Sequence, residues 1–102
     1  MERLQQLEQL VAEHPAEPFA RYGLALEYAN LGQTEAALQQ FAKLLEQHPD
    51  YIPGYQMSAQ TLMRAGRSHE ARQILQNGIA RAQRTGNAHA QSEMQGMLDE
   101  LG

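Results

Sequence analysis

The residues with chemical reach are four histidines, a scatter of carboxylates and a short run of arginines. A helix-borne zinc site needs two histidines four residues apart, with a glutamate after the first to act as base. His69-Glu70 supplies the first half of that pattern, but the fourth residue after His69 is Gln73. His14 and His48 each precede a proline, so both are expected at helix ends in structural or solvent-facing roles. Glu27, Glu35 and Glu46 lie among glutamines on predicted helices, where a solvated face accounts for them without acid–base catalysis. Gly23, Gly32, Gly54 and Gly66 are isolated, and the one lysine is Lys43, so no phosphate-cradling loop can be assembled. Cysteine is absent, which removes thiolate nucleophiles, disulfides and cysteine-based zinc sites. Arg64, Arg67, Arg72, Arg81 and Arg84 make a modest basic stretch, but Glu70 interrupts it and no aromatics interleave it. With a net charge of −4, nucleic acid and anionic membrane surfaces are not expected partners. The expectation is a protein without catalytic site, metal or cofactor, and not an enzyme.

A chain of 102 residues, 42% of them hydrophobic and 20% charged, suits one soluble domain spanning 1–102. The opening residues Met1-Glu2-Arg3-Leu4-Gln5-Gln6 lack the apolar stretch of a secretory signal. No window approaches the roughly 20 apolar residues that cross a bilayer. A cytoplasmic location is the expectation.

Self-similarity organises the rest. A shift of 34 residues lays Pro15 on Pro49, His14 on His48, Ala25 on Ala59, Gly32 on Gly66, Ala37 on Ala71 and Phe41 on Leu75. Each period reads as two helices. Leu24, Ala25, Tyr28 and Leu31 follow helical spacing, and Gly32 stands where a left-handed residue would end that helix. Thr34 is expected to cap the next helix, which buries Ala37, Leu38, Phe41, Leu44 and Leu45 before His48-Pro49 closes it. In the second period Pro53 enters the first turn, Gly66 ends the first helix, and Ser68 is expected to cap a helix running to about Ala82. Two one-sided helices flank these. Residues 1–15 carry Leu4, Leu7, Leu10 and Val11 on one face, and residues 88–101 carry Ala90, Met94, Met97, Leu98 and Leu101. No segment reads as a strand.

A 34-residue helix–turn–helix period resembles the tetratricopeptide repeat. Leu24, Ala25, Tyr28, Gly32, Ala37, Phe41 and Pro49 match that family's large, small, aromatic, glycine, alanine, aromatic and proline positions. Ala59, Leu62, Gly66, Ala71 and Leu75 match in the second period. The resemblance implies an all-α, right-handed helical-hairpin solenoid: two full repeats, 18–49 and 52–85, between a half-repeat helix, 1–15, and a capping helix, 88–101. There are departures. Arg21 stands where the family has an aromatic, Leu44 replaces a small residue, and Gln83 replaces the closing proline. Strict register would bury Ser92, Glu93 and Gly96 in the last helix, against its apolar arc, so that helix is expected to be rotated into a capping role.

The resemblance further implies a concave surface lined by the first helix of each repeat, and a non-catalytic module that binds a peptide segment or protein surface there. Family register puts Phe19, Tyr22, Leu26, Ala29 and Asn30 on that surface from the first repeat, and Pro53, Gln56, Gln60, Met63 and Arg64 from the second. Tyr22, Leu26 and Met63 could instead complete the core, since helical apolar spacing serves both ends. Some members grip a C-terminal carboxylate with lysine, arginine and asparagine at these places. Here Tyr22, Leu26, Gln56 and Gln60 occupy them, so the basic clamp is missing and an acidic tail is not the expected ligand. The alternative is a structural role: weak self-association through 88–101, or fixed membership of a larger assembly through the terminal helices. The register itself is testable. Ala59→Leu should lower stability by roughly 1–3 kcal/mol through overpacking, and an unchanged melting midpoint would contradict the assignment.

Overall fold

The computed structural model describes residues 2–102, so Met1, counted in the expected first helix, lies outside the described residues. Six helices follow one another: α1 (Glu2–Glu13), α2 (Pro18–Asn30), α3 (Thr34–Gln47), α4 (Ile52–Arg64), α5 (Ser68–Arg84) and α6 (Ala88–Glu100). No strand occurs among the described residues. Sequential helices pack on each other, most extensively in the pairs α2/α3 and α4/α5, which are the two repeats.

The turns inside the repeats depend on a residue that tolerates a left-handed backbone. Gly32 and Gly66 have φ of 77° and 73°. Around each, two amides fold back on the helix just ended: Gly32 to Ala29 and Gln33 to Tyr28, then Gly66 to Met63 and Arg67 to Leu62. This double closure satisfies carbonyls that a helix end leaves free. It also brings the chain back into helix one residue sooner than expected. Thr34 and Ser68 are the first helical residues and not caps; Gln33 and Arg67 hold the cap positions, without side-chain cap bonds.

Between repeats the closure is different. Pro18 is the first residue of α2 and Pro53 the second of α4, where first-turn amides have no intrahelical acceptor to lose. The His48 ring Nε2 bonds the Ala16 carbonyl at 2.9 Å, tying the loop after α3 to the loop after α1. After α5 no proline is present, and the helix runs through Gln83 to Arg84, past the expected end near Ala82. A third left-handed glycine, Gly86 (φ 73°), then repeats the pattern of Gly32, with Gly86 bonding Gln83 and Asn87 bonding Ala82. The Asn87 side chain caps α6 by accepting from the Ala90 amide at 3.1 Å.

This longer α5 changes the register of α6. Under an offset of 34, Ser58 and Leu62 would match Ser92 and Gly96, which are exposed; under an offset of 36 they match Met94 and Leu98, which are buried and half-buried. Helix α6 therefore turns its apolar arc onto α5, as a capping role requires. Ala90 and Met94 join the core cluster of Ile52, Tyr55, Ala59, Leu75 and Ala82, with Met97, Leu98 and Leu101 packed against it.

Small residues decide how near the helices come. Ala25, Ala37, Ala59 and Ala71 are wholly buried, as are Phe41, Leu44, Leu75 and Met94. Helix α4 closes on α3 at Gly54, where a Cβ would stand 2.8 Å from Leu45 Cδ2. Helix α5 closes on α4 and α6 at Gly78, where a Cβ would stand 2.7 Å from Tyr55 Cβ and 2.6 Å from Met94 Sδ. The equivalent of the pair Tyr55 and Gly78 in the first repeat is Arg21 and Leu44. A slender arginine stem leaves room for a leucine that the tyrosine ring would exclude. Arg21 is only 8% exposed, donating from Nη1 to Gln40 Oε1 at 2.7 Å while its buried Nε has no partner among the described residues. Tyr55, in contrast, donates its hydroxyl to the Pro49 carbonyl at 2.6 Å.

Two glycines separate helix propensity from packing. Gly96 has nothing within 4 Å of a would-be Cβ, so Gly96→Ala should raise stability by about 0.5–1 kcal/mol. At Gly78 the same propensity gain opposes a clash with a Cβ that cannot swing aside, and overpacking of about 1–3 kcal/mol should win. Urea midpoints moving in opposite directions for the two variants would verify the close approach.

Candidate functional site

The expected binding residues fall on two neighbouring helix faces. On α2, Phe19, Tyr22, Leu26 and Asn30 form one stripe; on α4, Gln56, Gln60, Met63 and Arg64 form the matching one. Helices α2 and α4 touch directly, and α4 packs on both α3 and α5.

Along α2 the stripe grades from exposed to half-buried. Phe19, in the first turn, is 78% exposed. Tyr22, Leu26 and Ala29 are half-buried, packed with Tyr51 and Met57 against the cluster of Ala25, Ala37, Phe41 and Leu44. The Tyr22 and Tyr51 rings lie 5.3 Å apart at 58°, a tilted geometry that the aromatic quadrupole favours. Tyr22 and Leu26 thus serve the core and still show part of their surface. On α4, Pro53, Gln60 and Arg64 are exposed, while Gln56 and Met63 are half-buried. Asn30 is exposed at the end of α2, and Arg64 helps line a shallow hollow of about 200 Å³ with Ala29, Gly32, Thr34, Thr61 and Ala65.

A third helix joins this surface. Gln56 donates from Nε2 to Glu93 Oε1 at 3.2 Å, and His89 Nε2 lies 3.5 Å from the same oxygen. Sequence reasoning missed Glu93 and His89 because the register of α6 was shifted by two residues. It missed Tyr51 because that residue precedes α4 and stands outside the helical pattern. The closest signal for Tyr51 was a large aromatic two residues before a first-turn proline, Pro53.

Two hollows lie elsewhere, between α3 and α5. One, of about 340 Å³, is lined by Leu38, Leu45, Leu62 and Ile74 with Glu35, Arg67 and Glu70 at its rim. Its neighbour, about 560 Å³, continues to Pro49, Tyr55 and Arg81. Their arginines are engaged within the chain: Arg67 pairs with both Glu35 and Glu70, and Arg81 with Asp50 at 3.2 Å. The hydrogen bonds from Arg67 hold the Glu70 carboxyl below the usual carboxylate range. These are surface pairs that brace α3 to α5 with little net stabilisation.

A tetratricopeptide repeat model matches residues 28–93. The chain belongs to the tetratricopeptide repeat family. A TPR repeat-containing protein of Pseudomonas aeruginosa is 30% identical over 95 residues, covering 93% of this chain and 90% of that protein. The solution structure of a tetratricopeptide repeat domain protein from Salinibacter ruber superimposes with a TM-score of 0.80 at 31% identity, over 85% of this chain and 88% of that one. The structure of YrrB, described as a TPR protein with an unusual peptide-binding site, superimposes with a TM-score of 0.73 at 26% identity, over 76% of this chain and 40% of that one. The tetratricopeptide fold is a protein–protein interaction module, typically a non-catalytic scaffold. No helix of the described residues is long and apolar enough to cross a membrane.

The ionisation of this TPR chain's phenols reflects their packing. Burial raises the Tyr22 hydroxyl above its ordinary value, with Tyr51 adding to the shift. Burial likewise raises Tyr55, with Asp50 adding and Arg81 opposing, and raises Tyr28, whose hydroxyl donates to Glu8 Oε2 at 3.2 Å. A phenol whose folded pKa exceeds its unfolded one contributes stability below about pH 10, the unfolded value, and loses it as pH rises through the folded value. Urea midpoints should therefore hold near neutrality and fall in the alkaline range. Tyr55→Phe should flatten that fall while removing about 1 kcal/mol at neutral pH with the lost hydrogen bond. An alkaline limb as steep as wild type would contradict the buried-phenol assignment.

Proposed function

We propose that this TPR protein is a non-catalytic adaptor that binds a peptide segment or protein surface on the face of α2 and α4, in the cytoplasm. The observation that carries the reading is Phe19, a phenylalanine 78% exposed at the head of a stripe with half-buried Tyr22 and Leu26. A large aromatic left in water beside other apolar surface is a recurrent mark of a binding site. Gln56 and Gln60 on α4 add amides able to hydrogen-bond an extended backbone. The likeness to YrrB, a protein described by its peptide-binding site, supports a polypeptide ligand.

Four side chains at the family's carboxylate-clamp positions, Tyr22, Leu26, Gln56 and Gln60, carry no charge. The ligand is held mainly by apolar contact and amide hydrogen bonds, so its affinity depends weakly on salt. Self-association through 88–101 is the less favoured reading. Met94 is wholly buried, and Met97, Leu98 and Leu101 already pack on the core cluster of the same chain.

Affinity capture from native extract tests the proposal, comparing wild type with Tyr22→Ala combined with Met63→Ala. Because both side chains are half-buried, the variant must first show a wild-type helical spectrum. A partner retained by wild type at both low and high salt, and lost by the variant, is the expected outcome. Identical partner sets for the two proteins would defeat the groove assignment, and a steep loss with salt would defeat the apolar mode of binding.

A further inference from the structure

We infer that the peptide taken by this face carries a cationic side chain, received by Glu93 on α6, at a fixed reach from its apolar anchor. The inference rests on the groove reading above and adds the chemistry of the ligand's second contact.

Tyr22 and Gln56 occupy the same position of successive repeats, separated by 34 residues, and Gln56 bonds Glu93 at 3.2 Å. One row therefore crosses the three helices at one level: an aromatic on α2, an amide on α4 and a carboxylate on α6. The surface changes along that row from apolar to acidic. Helix α6 has no lysine or arginine, and its ionic residues apart from His89 are Glu93, Asp99 and Glu100.

Glu27, Glu35, Asp50 and Glu70 are each paired with an arginine of this chain, whereas Glu93 has no arginine partner among the described residues. Its ionisable neighbour among the described residues is His89, whose Nε2 lies 3.5 Å from Oε1. Both contacts fall on Oε1, leaving Oε2 and its lone pairs, and the side chain is 53% exposed. Gln56 holds the carboxylate in place, so the group facing the ligand is oriented, with no arginine or lysine of the described residues paired to it. One turn along, Gly96 presents no side chain, with open space over it. A lysine or arginine stem can lie across that bare patch and bring its head to Oε2. The polarity is the reverse of the family's carboxylate clamp: the protein supplies the anion and the ligand the cation.

Packed helices stand roughly 8–10 Å apart, so Tyr22 and Glu93 are about 20 Å from each other across α4. An extended chain advances about 3.3 Å per residue, so about six residues separate anchor and cation. One such pair adds selectivity between ligands with only a shallow salt dependence, consistent with an otherwise uncharged groove.

The test uses two fluorescent peptide pools about ten residues long, enough to span that reach. Both contain Phe or Leu as anchor and differ only in Lys or Glu placed about six residues away, on either side. Wild type should bind the lysine pool about ten-fold more tightly by anisotropy. Glu93→Gln should bring the two pools level, and Glu93→Lys should invert the preference, with urea midpoints unchanged because the side chain is exposed. Tyr22→Ala should weaken both pools alike. A lysine preference surviving in Glu93→Gln, or no preference in wild type, would overturn the role of Glu93 while leaving the groove intact. Indifference of both pools to Tyr22→Ala would overturn the groove reading as well.

Discussion

The constraint on which the structure depends is the distance of closest approach between paired helices. Ala25 and Ala37 in the first repeat, and Ala59 and Ala71 in the second, are buried to zero exposure. With nothing larger than a methyl group at these places, the ridges of one helix can enter the grooves of the next. Phe41 and Leu75 then fill the space beside the crossings, and Leu24, Tyr28 and Leu62 complete the seams. Contact between the repeats is made by larger side chains: Tyr22 and Leu26 of α2 and Met57 of α4 pack on the cluster of Ala25, Ala37, Phe41 and Leu44, while Leu38, Leu45 and Ile74 line a hollow between α3 and α5.

Much of this was legible because a repeat states its rules twice. The offset of 34 residues located four helices, both left-handed glycines and the buried alanines, since each requirement recurs at an equivalent place. What escaped was whatever occurs once. The extra helical residues at the end of α5 have no counterpart in α3, and they displace the register of α6 by two. The clue was present: Thr85-Gly86-Asn87 mimics Leu31-Gly32-Gln33, a hairpin turn where the earlier repeat has His-Pro. Thr34 and Ser68 were misjudged for a related reason. Cap preference is a local property, but the two backbone bonds around Gly32 and Gly66 determine where the helix resumes.

The candidate site was legible to a lesser degree, and the reason is physical. A helix of a repeat solenoid has two apolar demands, one toward its partner helix and one toward a ligand, and hydrophobic periodicity reports only their sum. Tyr22 illustrates the overlap: its ring abuts Tyr51 and the core cluster while part of it faces outward. Phe19 has no such divided role, and only coordinates reveal that it is left in water. The third wall of the face depended on the register of α6, so Glu93 was invisible to any inference that carried the offset of 34 through to the end of the chain.

Helix α6 covers the second repeat with its apolar side: Ala90 and Met94 enter the core, and Met97, Leu98 and Leu101 close over it. At the positions equivalent, by the offset of 36, to Tyr55 and Ala59, which would face a further helix, it carries Gln91 and Gln95. Those amides remove the apolar seam on which another repeat could stack. Glu93 lies on a different side of the helix: by the same offset it is equivalent to Met57, and it accepts from Gln56 of α4 at 3.2 Å. Capping and charge on α6 are thus carried by separate residues, one set packed on α5 and the other turned to α4.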